Sequence, residues 1–132
     1  MAELETPIRN DCLDWLNKQP HIWAWRRNVA AMRVAQKKGP PRWIQFGQKG
    51  QVDLEGIVTV RVGDDDIGVH LEVEVKTPGR GKRSLPTPNQ AAYLVAASTR
   101  GAIALWCDSV SMLEYKLKQE FQRRGWEWPS AG

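Results

Sequence analysis

The 132-residue chain is poor in the residues that build disulfide frameworks and zinc sites. Its two cysteines, Cys12 and Cys107, lie far apart with no CxxC pair, and its two histidines, His21 and His70, are not clustered. A zinc centre and a disulfide scaffold are therefore not expected, and both thiols read as buried structural residues in a reducing compartment. No apolar run approaches the roughly 20 residues that a bilayer requires, so no membrane partner is expected. The opening MAELETPIRN carries acids where a secretory signal has a basic region, so the expected location is cytoplasmic, or nucleoid-associated in a host cell, and not secreted. Internal repeats and long linkers are also missing. Residues 1–132 read as one domain, long enough for a single core.

Acidic residues are absent from two long stretches. Between Trp15 and Val52 there is none, while Lys18, Arg26, Arg27, Arg33, Lys37, Lys38, Arg42 and Lys49 are basic. From Thr77 to Cys107 there is again none, with Arg80, Lys82, Arg83 and Arg100 present. The formal net charge is only +4, so the segregation matters more than the sum. It suggests a positive surface for a polyanion such as nucleic acid.

The hydrophobic periodicity then orders the elements. Glu3 to Lys18 has the three- and four-residue spacing of a helix, with Thr6-Pro7 as an alternative start and Pro20 as the stop. Residues 21–28 alternate as a strand. Residues 29–41 read as a loop and 42–47 as a short strand. Val52–Val62 and Gly68–Lys76 are strands joined by GDDDIG, whose aspartates read as turn residues rather than metal ligands. TPGRGKRSLP, 77–86, reads as a flexible basic loop. Thr87 and Pro88 open a helix to Thr99, with Gly101 as its stop. Residues 102–107 resemble a strand buried on both faces, and Asp108 or Ser109 caps a last helix over 110–124. The expected fold is α/β, one mixed central sheet flanked by helices.

LEVEVK, 71–76, places Leu71, Val73 and Val75 on one face and Glu72, Glu74 and Lys76 on the other. Taken alone, the polar face reads as solvated. A hairpin through GDDDIG would bring Asp53 near Glu74 and Lys76. Converging carboxylates repel unless a cation neutralises them, and an all-oxygen set selects Mg²⁺ or Mn²⁺.

These residues resemble the PD-(D/E)XK nucleases: Asp53, then Glu74-x-Lys76 some twenty residues later on the next strand. Within that superfamily the chain resembles the virus-type replication-repair nuclease domain in its stand-alone form. The shared features are Glu5 with Ile8, Trp25-Arg26-Arg27-Asn28, Gly50-Gln51-Val52-Asp53, and Lys76-Thr77-Pro78 through Gln90. Val52 stands where that family usually has proline or alanine, and the Gly79–Leu85 loop is longer and more basic than usual. The resemblance implies a restriction-endonuclease-like core and a metal-dependent, structure-selective DNA endonuclease of the kind that resolves four-way junctions in replication, recombination or repair.

It also implies roles. Asp53 and Glu74 would bind one or two Mg²⁺ or Mn²⁺ ions, with the Val75 backbone carbonyl and Glu5, through water, completing the set. Lys76 and Gln90 would serve the attacking water. Arg26, Arg27, Arg33, Lys49, Arg80, Lys82 and Arg83 would contact branched DNA, and two active sites would call for a homodimer. Gln90, three residues after Thr87, has a capping box as its structural alternative. Glu72 and Glu55 are expected at the rim, His70 in solvent, and Trp23 and Trp25 in the core, with base stacking or a dimer surface as their alternatives. Trp15, Trp43 and Trp106 fit core or half-core positions, and Trp126 and Trp128 fit an apolar edge. The rival readings are a non-catalytic basic nucleic-acid-binding module and an assembly protein with a merely solvated polar face.

Overall fold

A computed structural model describes the backbone of residues 2–27, 31–34, 39–40, 42–45 and 52–130, and the side chains of 7–27, 39–40 and 52–130. The chain order is α1 (Ala2–Lys18), β1 (Ile22–Arg26), β2 (Ala31–Val34), β3 (Arg42–Gln45), β4 (Leu54–Val62), β5 (Asp65–Val75), α2 (Pro88–Thr99), β6 (Ile103–Cys107) and α3 (Val110–Arg124). Four strands form a sheet in the order β1-β4-β5-β6, and β2 pairs with β3 separately. β1, β4 and β5 are antiparallel neighbours, whereas β6 runs parallel to β5 after the α2 crossover. The class is thus α/β with a mixed sheet flanked by helices, as the periodicity predicts. No helix of the described residues is long and apolar enough to cross a membrane.

One sheet face carries the core. Leu54, Val58 and Val60 of β4 alternate inward with Leu71, Val73 and Val75 of β5, and Ile103, Leu105 and Cys107 of β6. Against them pack Cys12 and Leu16 of α1, and Leu113, Leu117 and Phe121 of α3, at helical spacing. Cys12 and Cys107 are free and buried, their sulfurs 3.9 Å apart. Contact with Cys12 and burial push the Cys107 thiol up, which suits a core residue.

Local chemistry sets the boundaries. Thr87 and Gln90 form a reciprocal capping box with Pro88 opening α2, and Ser109 accepts the Met112 N–H at the start of α3. The β4–β5 connection is tighter than expected: Asp65 and Asp66 pair with Val62 and Arg61, leaving only Gly63 and Asp64 in the turn. Gly63 adopts φ 62, the left-handed conformation such two-residue turns need. β2 lies within a stretch expected to be loop. The basic loop is also ordered by its own bonds, since Ser84 Oγ accepts the Arg80 N–H at 2.6 Å and donates to the Thr77 carbonyl at 2.7 Å. β6 is buried on one face and half-buried on the other, not buried on both.

The C-terminal segment closes the far end of the core. Trp128 stacks on Trp15 at 6.1 Å and meets Phe121 at 4.8 Å. His21 lies edge-on to Trp128 at 4.6 Å and to Phe121 at 5.5 Å. Both ring nitrogens are buried and make no hydrogen bond among the described residues. Burial therefore holds the His21 pKa below its ordinary 6.5, because a charged imidazole would be desolvated there. The sign follows: above pH 6.5 both folded and unfolded chains carry the neutral ring, and the contribution is fully present. As pH falls below 6.5 the unfolded chain takes up the proton first, so stability is lost progressively toward the lowered folded value. Urea midpoints measured from pH 7.5 to 5 should fall, and His21→Phe should flatten that part of the profile. Each unit of depression corresponds to about 1.4 kcal/mol.

Candidate functional site

The face of the sheet opposite α1 and α3 is not open water. α2 lies over its β5–β6 half, and Glu72 and Glu74 are each only 1% exposed. The solvated reading of that face is overturned for these two residues: the crossover helix that joins β5 to β6 covers them.

Glu72, expected at the rim, is instead the centre of a network. Its Oε1 accepts from His70 Nε2 at 2.7 Å, Tyr93 Oη at 2.8 Å and Arg27 Nη2 at 3.0 Å. Oε2 is buried and makes no hydrogen bond among the described residues. Glu55 stands directly opposite Glu72 on β4. It accepts the Trp25 indole N–H at 2.8 Å and pairs with the same Arg27 guanidinium. Two carboxylates facing each other across strands repel, and Arg27, 16% exposed, is the cation between them. Arg27 therefore does not stand free for a phosphate, as had been expected from its place in the basic run. One donor atom each from Glu55, His70 and Glu72 lies within 4.8 Å of the others. A metal ion there would have to displace the guanidinium, so the group is better described as an internally compensated ion network. Its members lie 28 and 45 residues apart in sequence, which is why spacing alone does not reveal it.

The second group lies one pleat along. Asp53 precedes Leu54, whose partner is Val73, and its Oδ2 accepts the Val75 N–H at 3.3 Å. Its carbonyl accepts the Arg27 N–H at 2.7 Å, which extends the β1–β4 ladder. The Asp53 carboxylate thereby sits at the Glu74–Val75 end of β5, and the buried Val75 side chain leaves its backbone at that carboxylate. Lys76 follows, its N–H bonded to the Cys107 carbonyl of β6 at 2.8 Å. The sheet thus brings Asp53, Glu74, Val75 and Lys76 to the same end of adjacent strands.

Lys76 also lines a cavity of about 510 Å³ with Lys82, Arg83, Leu85, Pro86, Thr87 and Pro88. Three cations around one cavity form a positive site that begins at Lys76, the residue after Val75. Arg80 is half-buried in the same loop, and Arg26 is exposed at the end of β1. Gln90 is placed by the capping box: its side-chain oxygen accepts the Thr87 N–H at 2.9 Å, so that oxygen is engaged in starting α2. Glu5 and Arg33 belong to α1 and β2, but their side chains lie outside the described residues, as do Trp43 and the whole of Lys49. Trp25 is half-buried, whereas Trp23 is 67% exposed, not in the core. Edge-strand position could have signalled this, because among the described residues β1 has a strand neighbour on one side only.

Removing one partner of a buried charged group leaves the others uncompensated. Glu72→Ala should therefore lower unfolding stability by about 3–5 kcal/mol, read from urea denaturation. Asp66→Ala, which removes only the exposed pair with Arg61, should cost less than about 1 kcal/mol.

Comparison with family models, with curated proteins and with solved structures finds no match to this chain, so the functional reading rests on the site itself.

Proposed function

We propose that the protein is a metal-dependent DNA endonuclease that hydrolyses phosphodiester bonds in structured DNA, with a restriction-endonuclease-like core. The observation that carries this reading is the seat of the Asp53 carboxylate at the Glu74–Val75 end of β5, with Lys76 next in the chain and a three-cation cavity alongside. The order helix, three antiparallel strands, crossover helix and parallel strand supports the same reading.

The residues fit a hard divalent ion. Asp53, half-buried, and Glu74, buried, offer oxygen donors only. Asp53, Glu74 and the Val75 carbonyl would hold Mg²⁺ or Mn²⁺, with Glu5 reaching it from α1 through water. The bound ion would supply charge neutralisation at the phosphate and a water of lowered pKa.

The chain's own groups would do the rest. Lys76 orients the attacking water and offsets charge on the scissile phosphate. Lys82 and Arg83 seat that phosphate in the cavity and bring it to Lys76 in a defined pose. Gln90 fixes the first turn of α2, so that Thr87 and Pro88 hold the cavity wall. Cleavage of both strands of a branched substrate would require two copies of the site, and a C2 homodimer supplies them.

Wild-type protein should cut branched or flapped DNA in Mg²⁺ or Mn²⁺ and not in EDTA. Asp53→Ala and Lys76→Ala should each slow cleavage by about 10²- to 10⁴-fold while binding in EDTA persists. No cleavage of branched, flapped or linear substrates by wild type in either metal would overturn the proposal.

A further inference from the structure

We infer that the open half of the same sheet face is a platform for an unpaired DNA strand, with Trp23 as the surface on which a base stacks. This rests on the nuclease reading for its purpose but not for its geometry. Trp23, Ile57 and His70 stand directly opposite one another on β1, β4 and β5, forming one row across three strands. Trp23 is 67% exposed and Ile57 36% exposed. The Trp25 ring lies 5.1 Å from that of Trp23, and its indole N–H is fixed by Glu55. The outer indole is therefore braced by an inner one that cannot turn freely.

The row runs into a cleft of about 420 Å³ between β5 and the end of α2, lined by Gly68, His70, Tyr93 and Arg100 among others. Gly68 keeps the entrance low, since a Cβ there would meet Ile57 Cγ2 at 3.1 Å. An exposed aromatic face at one end and an exposed arginine at the other match what a single strand offers: a flat apolar base and a charged backbone. Arg26 is exposed at the end of β1 but projects from the Ile22–Ala24 face of the strand, away from the row. Trp23 is four positions from Arg27, which lies at the level of Asp53, or about 13 Å along the strands. At about 3.4 Å per stacked nucleotide, a base on Trp23 lies roughly four positions from the scissile phosphate. The implied substrate class is DNA with unpaired nucleotides close to the cut.

The patch is unsuited to a second copy. The outward N–H and C=O of Ala24 on the edge strand are both bonded to the Asn17 side chain, at 2.9 and 3.0 Å, so the sheet is not open to extension there. Among the described residues the other exposed large apolar side chains lie off this row: Val62 and Ile67 near the β4–β5 turn, Leu85 and Val95 around a separate cavity, and Tyr115 on α3. One indole and one isoleucine offer a small fraction of the roughly 800 Å² per partner that a stable protein interface buries. A single planar anchor matches one ring.

The test is binding in EDTA, where cleavage is absent, with fluorescently labelled single-stranded DNA, a duplex carrying a single-stranded arm, and a blunt duplex. Trp23→Ala, confirmed folded by its thermal transition, should weaken the first two by about 5- to 100-fold and leave the blunt duplex unchanged. Trp23→Phe should recover most of the loss, and base binding should quench indole fluorescence in wild type only. Equal affinities of Trp23→Ala and wild type for all three DNAs would overturn the inference. So would DNA-free self-association of wild type that Trp23→Ala abolishes. Wild type that binds single strands through Trp23 yet never cleaves in Mg²⁺ or Mn²⁺ would refute the nuclease reading and leave the platform standing. Cleavage with unchanged Trp23→Ala binding would do the reverse.

Discussion

Everything on the polar side of the sheet depends on how a carboxylate at 1% exposure is compensated. Glu72 sits between β4 and β6 and under α2, where an isolated charge would cost several kcal/mol. Arg27 supplies the cation, Tyr93 and His70 supply further donors, and each comes from a different part of the chain. Arg27 follows β1, His70 lies on β5 and Tyr93 lies on α2. One oxygen atom therefore ties an edge strand, a central strand and the crossover helix together. Because geometry must be good for such a network to hold, it specifies how α2 lies over the sheet more than it adds net stability.

That placement of α2 fixes the proposed site. Thr87 and Pro88 start the helix and also wall the cavity that Lys76 shares with Lys82 and Arg83. The Lys76 N–H is bonded to β6, so its backbone is held by the parallel ladder while the cavity opens beside it. On the opposite face, Leu71, Val73 and Val75 anchor β5 in the core and prevent a register slip, which would send both glutamates into the apolar side.

Much of this was legible from the residues. The alternation of LEVEV separates core from polar face, Thr87 with Pro88 and Gln90 announces a capped helix, and Asp53 with Glu74-x-Lys76 marks adjacent strand ends. Alternation, however, assigns two faces without saying what covers either one. Glu72 and Glu74 look solvated until α2 is placed over them, and that placement depends on long-range packing. Arg27 looked like a phosphate contact because its neighbours in sequence are basic; its partners, Glu55 and Glu72, are neighbours only through strand pairing. Trp23 looked like core because large aromatics usually are, but on the outer face of an edge strand, with no helix of the described residues packed against it, the indole is exposed. Asp65 and Asp66 looked like turn residues because aspartate favours turns, yet a two-residue turn at Gly63-Asp64 suffices and the strand continues through them.

The two carboxylate rows differ in the way that matters for function. Two like charges about 4 Å apart at an effective dielectric near 20 repel by about 4 kcal/mol, so the facing Glu55 and Glu72 require a cation. Between Glu55 and Glu72 the cation is Arg27, built into the chain, and a metal ion could enter only by breaking both of its ion pairs. At Asp53 the donor is the neutral Val75 N–H, which orients the carboxylate without cancelling its charge. The arginine that might have neutralised Asp53 lends it only a backbone N–H, because its side chain is committed one pleat away. The compensated row thus keeps the Arg27 side chain on Glu55 and Glu72. That is the physical reason the proposed divalent ion is placed at Asp53 and Glu74 rather than at Glu55, His70 and Glu72.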